Sequence, residues 1–413
     1  MAEKRKDKKG RILKDNEYQR SDGRYEYKYF INGKRKSIYS WKLVPTDKAP
    51  AGKKEVLSLR EKEKELEQNI QDGIDIASGN MTLNQLFACY METKTNLREN
   101  TRSNYKTLWE NGVKRSSLGN MPINQIRQLD IKKFYAELAK SGAATSTINL
   151  YHNLISPAFE LAVDSDIIRK NPAKDARKGV SGQKNERVAL TVDEQEKFLN
   201  FVKESNTYNA YYPMLSLAFA TGLRVGELTG LTWNDVDKKR KALCINHQLQ
   251  YLNMDTETRF YISPLKSSAG KREIPMTKEI QSCLTAQKAM MLRTGRRSSM
   301  EVDNYSNFIF ITKNGTPFAT NAVNSFLTNI VKKYNREETK KAMAERREPE
   351  LLPHISAHIL RHTACTRMAE KGMDIKVLQY IMGHSDSRVT MNIYNHVDRE
   401  RIISELQRLD RTS

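Results

Sequence analysis

The feature of this chain that most constrains its fold is a set of six polar side chains spread over its C-terminal half. They are Arg224, Lys266, His358, Arg361, His384 and Tyr394. No local repeat brings residues so distant in sequence together, so a shared role requires a fold that gathers them in one domain. Guanidinium, ammonium and imidazole groups can hold a phosphodiester while a phenol oxygen attacks it. The set predicts cleavage of a DNA strand through a phosphotyrosine link, without a metal.

Arg224 lies in the run Thr221-Gly-Leu-Arg-Val-Gly-Glu-Leu228. Gly222 is predicted to end one helix and the next helix to begin at Leu223, which puts Arg224 near a helix N-terminus and Glu227 one turn later. A helix N-terminus and a guanidinium fork both suit a phosphate group. Considered alone, the pair is more typical of an Arg–Glu contact on a helix surface, which stabilises a helix by roughly a few tenths of a kcal/mol.

His358 and Arg361 are three residues apart, which puts both on one face of a predicted helix. A further helix, residues 375–382, is predicted to end at Gly383 in the left-handed cap conformation, with His384 in the turn that follows. A histidine that only caps a helix is the simpler interpretation of His384 when it is considered alone.

The histidines at positions 354, 358 and 362 also suggest zinc, because histidines four residues apart on a helix can share a metal. The carboxylate of a His-Glu-x-x-His motif is missing, however, and no cysteine completes the set. Arg361 would moreover place a cation beside the metal. Neither a metal nor a cofactor is therefore expected.

Lys266 and Tyr394 are the weakest members of the set when each is considered separately. Lys266 lies between Leu265 and the turn ending at Gly270, on a predicted mobile β hairpin from which an ammonium group can protonate a leaving oxygen. A loop lysine is usually only solvated, nearby Lys271 and Arg272 are competing candidates, and a lone tyrosine is more often a surface aromatic. The ordered combination of six residues favours the catalytic interpretation.

Charge supports a nucleic-acid partner. The 413 residues include 70 Lys and Arg against 49 Asp and Glu, a net charge of +21, and neutralised phosphates release counterions that add to affinity. No apolar run approaches the roughly 20 residues that span a bilayer, and the basic N-terminus lacks the apolar stretch of a secretory signal. The four cysteines lack metal spacing and are expected to be reduced thiols in a cytoplasmic protein.

Residues 1–75 are predicted to form a small DNA-binding domain. A basic tail precedes a three-stranded sheet that includes Tyr18, residues 24–31 and residues 35–41, with Asn32-Gly33 as a hairpin turn. A charged helix from about Lys53 to Gln71 follows. A two-stranded ribbon can enter the major groove, although basic residues on such a module can also be merely solvated. The candidate DNA contacts are Arg24, Lys28, Lys34, Arg35 and Lys36.

Residues 80–175 are predicted to be an independent bundle of four or five amphipathic helices. Its candidate phosphate contacts, each of which could also be ordinary surface, are Lys94, Arg98, Arg102, Lys106 and Thr145. Residues 176–188 have the polar, glycine-containing composition of a linker.

Residues 189–413 are predicted to be a mixed, mostly helical domain with a β insertion over residues 243–275. The overall fold class is multidomain and mainly α with small β elements. Behind Tyr394, an apolar stripe of Ile402, Ile403, Leu406 and Leu409 has helical spacing. This tail could dock on a neighbouring subunit or on its own domain.

These motifs closely resemble the tyrosine recombinases, the lambda-integrase family. The resemblance covers about residues 190–400 and depends on Thr221–Leu228, Lys266, His358-x-x-Arg361, Gly383-His384-Ser385 and Tyr394. The N-terminal basic sheet resembles the arm-type DNA-binding domain of integrases from phages and conjugative transposons, and a conjugative element is preferred over a prophage.

The resemblance implies a role for each residue. Tyr394 attacks the scissile phosphate and becomes linked to the 3′ end, while Arg224 and Arg361 hold the nonbridging oxygens. His358 assists deprotonation of Tyr394, Lys266 protonates the leaving 5′ oxygen, His384 binds a phosphate oxygen and Glu227 supports the geometry.

The resemblance also implies double-stranded DNA with core-type and arm-type sites, a homotetramer on that DNA, and help from an excisionase or a host DNA-bending protein. Two alternatives remain from the residues themselves. A type IB topoisomerase-like strand relaxer shares the chemistry, and a non-enzymatic DNA-binding regulator could use the C-terminal helices to read sequence.

Overall fold

A computed structural model describes residues 5–31, 33–53, 57–75, 78–183, 188–253, 258–265, 268–386 and 391. Lys266, Tyr394 and the predicted tail stripe lie outside the described residues. The chain divides into two compact units, residues 1–185 and 186–413. None of the helices in the described part of the chain is long and apolar enough to cross a lipid bilayer.

The first unit begins with an antiparallel sheet in the order β1 (Glu17–Gln19), β2 (Tyr25–Ile31) and β3 (Lys34–Ser40). Helix α1 (Leu59–Gln71) packs against it. The helix begins later than the predicted Lys53 because the backbone N–H of Ser58 donates to Glu61 Oε2 at 2.8 Å, which caps the first turn. The predicted three-stranded sheet with one helix is confirmed.

A helical bundle follows in the same unit. Its helices are α2 (Leu83–Thr93), α3 (Glu99–Asn111), α4 (Gln128–Lys140) and α5 (Thr145–Asp164). The rings of Phe87 and Trp109 stack in its core with centroids 3.8 Å apart. The first part of the predicted linker packs on this bundle: Ala176 is fully buried, and Thr145 Oγ1 donates to the carbonyl of Gly182 at 3.0 Å.

The second unit is mostly helical, as predicted. Its helices are α6 (Val192–Glu204), α7 (Tyr212–Thr221), α8 (Val225–Gly230), α9 (Lys278–Thr294), α10 (Thr320–Glu345), α11 (Ala357–Glu370) and α12 (Ile375–Met382). Its strands are β4 (Val236–Asp237), β5 (Ala242–Ile245), β6 (His247–Asn253), β7 (Thr258–Pro264) and β8 (Arg272–Pro275). They form a β4–β5–β8 sheet and a separate β6–β7 hairpin.

Two helix ends meet where the site lies. Helix α7 ends at Gly222 with φ +63°, and α12 ends at Gly383 with φ +61°. A Cβ atom at Gly222 would lie 2.7 Å from Sδ of Met382, so glycine allows both the left-handed backbone and the close approach of α12. The chain segments that carry Arg224 and His384 are therefore neighbours.

Candidate active site and DNA interface

Arg224, His358 and Arg361 line one cleft of about 400 Å³ in the second unit. Arg224 is the residue before α8, while His358 and Arg361 lie on the same face of α11. The remaining walls come mainly from polar side chains, and they include Gln248, Gln250, Thr320, Asn324 and Ser356. The fold thus brings together three of the six predicted catalytic residues in a polar depression.

Arg224 is held from two sides. Its Nη1 donates to Glu227 Oε1 at 2.7 Å, and its Nη2 donates to the carbonyl of Gly383 at 2.7 Å. Its side chain remains 38% exposed, whereas the Glu227 side chain is fully buried. The Arg–Glu contact is therefore not a simple surface pair, because its carboxylate belongs to the interior and its guanidinium reaches the cleft.

Arg361 is buried at the floor of the cleft. Its Nη1 donates to the carbonyl of Gly222 at 2.8 Å and its Nη2 to the carbonyl of Met382 at 2.6 Å. Burial, together with the positive charges of Arg224 and Arg272, lowers the pKa of Arg361 to about 9. An anion in the cleft would relieve this electrostatic cost.

His384 follows the end of α12 and is half-buried. Burial, and then the charges of Arg361 and Arg224, lower the pKa of its imidazole to about 4. The ring is therefore neutral near pH 7, and it can donate a hydrogen bond to a phosphate oxygen through one ring N–H. His358, in contrast, is exposed on α11.

Arg272, which the sequence indicated only as a competing candidate for the role of Lys266, is buried beside the site. It is the first residue of β8, its side chain is fully buried, and its Nη2 donates to Glu227 Oε2 at 2.9 Å. Burial opposes ionisation of Glu227, but the hydrogen bonds and charge of Arg272, with the charge of Arg224, keep the pKa of Glu227 below its ordinary value. Alternation along the strand could have found Arg272, because it shares a face with buried Ile274.

The N-terminal sheet separates its predicted DNA contacts between two faces. Tyr25 and Tyr27 pack towards the core with Leu59, so alternation puts Lys28 on the outer face. Lys28 Nζ lies 4.1 Å from the centroid of the Tyr18 ring.

Arg35, opposite Phe30, also lies on the outer face, whereas Lys36, opposite Tyr29, lies on the inner one. The side chain of Lys34 is not described. Phe30 is 70% exposed beside Arg35, and the pattern of basic residues did not indicate it. Arg24 pairs with Asp22 at 2.7 Å at the edge of this surface.

Two predicted phosphate contacts of the bundle have hydrogen-bond partners within the protein. Arg102 donates to the carbonyls of Met91 and Lys94, so it caps the end of α2. Thr145 is engaged by Gly182, as described above. The role of both residues as DNA contacts stays a prediction. Lys94 is half-buried with Nζ 4.8 Å from the ring centroid of Tyr90, whereas Arg98 and Lys106 are exposed.

Comparison with known families assigns all three parts of the chain. Residues 189–401 match the phage integrase family. Residues 1–70 match the DNA binding domain of tn916 integrase. Residues 82–139 match the N-terminal SAM-like domain of phage integrases.

Individual proteins are similar over the whole length. The chain is 38% identical over 413 residues to the transposase from transposon Tn916 of Enterococcus faecalis and to the transposase from transposon Tn1545 of Streptococcus pneumoniae. These alignments cover 100% of this chain and 98% of each relative.

Solved structures agree with this assignment. The Tn1549 transposon integrase in complex with transposon right end DNA is 31% identical, with a TM-score of 0.69 over 80% of this chain and 100% of that one. A lambda integrase dimer bound to a COC′ core site shares the fold at 20% identity, with a TM-score of 0.52 over 93% of this chain and 95% of that one. The chain therefore belongs to the phage integrase family of tyrosine recombinases, which are site-specific DNA recombinases.

Proposed function

We propose that this protein is the integrase of a mobile DNA element, and that it cleaves and rejoins DNA through a covalent link between Tyr394 and the 3′ end of the cut strand. The observation that carries the proposal is the presence of Arg224, Arg361 and His358 in one polar cleft. The names of the relatives support the biological setting, since they are transposases of Tn916 and Tn1545.

The two arginines bind the scissile phosphate. A guanidinium has five N–H donors. Arg224 uses donors on Glu227 and Gly383, and Arg361 uses donors on two backbone carbonyls, so each keeps further N–H groups for a phosphate in the cleft. Their charges neutralise the negative charge that grows on the nonbridging oxygens during attack. Neutral His384 donates a hydrogen bond to one of these oxygens.

Tyr394 supplies the nucleophile. Its phenol, with a reference pKa of about 10, transfers its proton to His358 as the Tyr394 oxygen bonds to phosphorus. The bond from phosphorus to the 5′ oxygen breaks, and Lys266 protonates that oxygen. A 5′ hydroxyl of a second strand reverses these steps and displaces Tyr394, so the bond energy is conserved and no nucleotide is hydrolysed.

The partners follow from this reaction. Recombination joins two duplexes, so four copies of the chain act together on DNA. The bundle and the catalytic domain bind core-type sites. The outer face of the β1–β3 sheet, with Lys28, Arg35 and Phe30, binds a second, arm-type site. An excisionase or a host DNA-bending protein controls direction.

The test is to trap the protein on a duplex that carries a nick next to the cleavage site, so that the released fragment diffuses away. Wild-type protein should form a covalent adduct, and Tyr394→Phe should bind DNA without forming one. Tyr208→Phe is the matched control, because Tyr208 does not line the cleft, and it should form the adduct normally.

The other outcomes identify the alternatives. DNA binding without an adduct in wild-type protein would favour a DNA-binding regulator. An adduct with relaxation of supercoils, but without strand exchange between two duplexes, would favour a topoisomerase-like relaxer. Recombinant product from two duplexes, lost in Tyr394→Phe, supports the integrase.

A further inference from the structure

We propose that Arg272 is a positioning residue for the phosphate-binding arginines. It holds Glu227 and the end of α12 where they leave the guanidinium groups of Arg224 and Arg361 directed at the cleft. This inference rests on the proposed cleavage reaction and adds a residue on which that reaction depends without contact to the substrate.

Arg272 is enclosed by the protein. Its side chain is fully buried. Nε donates to the carbonyl of Ile381 at 2.6 Å, Nη1 to the carbonyl of Gly270 at 2.9 Å, and Nη2 to Glu227 Oε2 at 2.9 Å. All three nitrogens therefore have protein acceptors, and the residue does not line the cleft. Its influence on the reaction must pass through the groups that it holds.

The end of α12 is shared by three arginines. The carbonyls of three consecutive residues, Ile381, Met382 and Gly383, accept hydrogen bonds from Arg272, Arg361 and Arg224, respectively. The last carbonyls of a helix lack partners within the helix and carry partial negative charge, so they suit cations. Displacement of one arginine would therefore shift the backbone carbonyls that orient the guanidinium groups of the other two.

Glu227 provides the second connection. Its Oε1 accepts from Arg224 at 2.7 Å, and its Oε2 accepts from Arg272 at 2.9 Å. A buried carboxylate with both partners is satisfied, whereas loss of one partner leaves a charge with too few donors. Without Arg272, Glu227 would draw the Arg224 guanidinium inward and away from the phosphate.

A different route from Arg272 to the reaction runs through its bond to Gly270, in the turn that follows Lys266. If Arg272 acted by this route, its loss would misplace Lys266, the general acid, and would leave the phosphate-binding Arg224 and Arg361 in position. The two routes predict different responses to changes in the chemistry of the scissile linkage, so substrate analogues separate them.

The experiment compares Arg272→Lys with wild-type protein in single-turnover cleavage. Lysine keeps the positive charge beside Glu227 but lacks the planar fork that reaches several acceptors together. Arg240→Lys is the matched control, because Arg240 is an exposed arginine that pairs with Asp237 and Glu273 of the same sheet. DNA affinity and melting temperature are measured for every variant.

Three linkages are used at the scissile position: the natural phosphodiester, a methylphosphonate that lacks one nonbridging charge, and a 5′-bridging sulfur that leaves without protonation. Relative to wild-type protein on the same substrate, Arg272→Lys should be about 100-fold slower on the phosphodiester and on the 5′-sulfur linkage. On the methylphosphonate, the cleavage rate of Arg272→Lys should be within about 5-fold of the wild-type rate, because less negative charge then has to be neutralised by Arg224 and Arg361.

The inference is overturned if Arg272→Lys cleaves the phosphodiester like wild-type protein. Recovery on the 5′-sulfur linkage would also overturn it, because Arg272 would then act through Lys266. So would an equal loss on all three linkages with a lower melting temperature, which indicates a role in folding alone. If wild-type protein itself forms no adduct, the proposed function fails instead.

Discussion

Two buried clusters of charge in this protein have opposite compositions. In the N-terminal domain, Glu17 and Glu63 are both buried, and one arginine, Arg60, donates to Glu17 Oε1 at 2.9 Å. Burial and the neighbouring Glu17 carboxylate raise the pKa of Glu63 to about 7. Glu63 Oε1 is buried without a hydrogen-bond partner among the described residues. This cluster has more carboxylate groups than cations. Protonation of Glu63 removes the repulsion between the two carboxylates.

The catalytic domain has the reverse arrangement. In the cluster beside the cleft, the buried carboxylate of Glu227 lies between Arg224 and Arg272, and Arg361 is held at the end of α12 that both arginines also contact. This cluster has more positive than negative charge, and the proposed function assigns a DNA phosphate to it. The two clusters indicate that the sign of the excess buried charge determines which ion a cluster favours: a proton at Glu63, and under the proposed function an anion beside Arg224 and Arg361.

The largest expected effect comes from removal of a clamping guanidinium. Arg361→Lys should lower the rate of single-turnover cleavage by about 100- to 1000-fold, because a single ammonium does not replace a fork that donates to two carbonyls and a phosphate. Rapid-quench assays of adduct formation measure the rate. Arg367→Lys on the same helix is the control, since Arg367 does not line the cleft. A loss below about 3-fold for Arg361→Lys would contradict the role of the clamp.

Removal of the Glu227 carboxylate should destabilise the fold around the three arginines. Glu227→Gln leaves buried guanidinium groups without their counter-charge, which costs about 3–5 kcal/mol of the free energy of unfolding. Thermal melts in the Tyr394→Phe background, with and without core-site duplex, measure the difference from the parent. Bound DNA should make the difference in stability between Glu227→Gln and its parent smaller, because a phosphate in the cleft supplies negative charge. Exposed Glu273→Gln is the control, and a difference unchanged by DNA would break the comparison between the two clusters.

In the N-terminal cluster, removal of a carboxylate should raise the free energy of unfolding, and the effect should depend on pH. Because the folded-state pKa of Glu63 is raised from 4.5 to about 7, its contribution is fully present below the unfolded value and is lost as pH rises to about 7. Glu63→Gln should therefore stabilise the domain at pH 8 by about 2–3 kcal/mol, and by less at pH 5. Amide hydrogen exchange of β1–β3 in the full chain measures this.

The matched control for that measurement is Glu65→Gln, because Glu65 is exposed on the same helix. Each variant is compared with wild-type protein at one pH, so intrinsic exchange rates cancel. If Glu63→Gln leaves protection unchanged at pH 8, the cluster does not carry the surplus charge assigned to it.

The smallest effect concerns the DNA face of the N-terminal sheet. Lys28→Gln should lower the slope of log affinity against log salt by about 0.9 for arm-site DNA, as expected for one lost phosphate contact. Lys36→Gln, on the inner face, should leave the slope unchanged. Fluorescence anisotropy titrations at several salt concentrations measure both, and equal effects of the two variants would contradict the assignment of faces.

The sequence predicted the features that depend on neighbouring residues. Gly222 and Gly383 end their helices as expected, and the spacing of His358 and Arg361 puts both on one helix face. The three-part fold class was also predicted correctly. The catalytic roles of all six residues stay predictions, and Lys266 and Tyr394 in addition lie outside the described residues.

What the sequence did not predict depends on partners that are distant along the chain. Arg272 is buried because its guanidinium contacts α12 more than a hundred residues away and Glu227 on α8. Thr145 likewise bonds to Gly182, 37 residues along the chain, whereas the acceptors of Arg102 lie only 11 and 8 residues away. The role of both residues as DNA contacts stays a prediction. Local sequence patterns predict helix caps and the buried faces of helices and strands. They do not identify which polar side chains are buried with hydrogen-bond partners from distant parts of the chain.

Identification of the residue that carries DNA tests most directly whether the positive cleft holds a phosphate for attack by a phenol. The trapped adduct is digested with protease and nuclease, and the nucleotide-bearing peptide is sequenced by mass spectrometry. We expect a nucleotide joined through its 3′ phosphate to Tyr394. Attachment to another residue, a 5′ phosphate link, or no nucleotide-bearing peptide from active wild-type protein would contradict it.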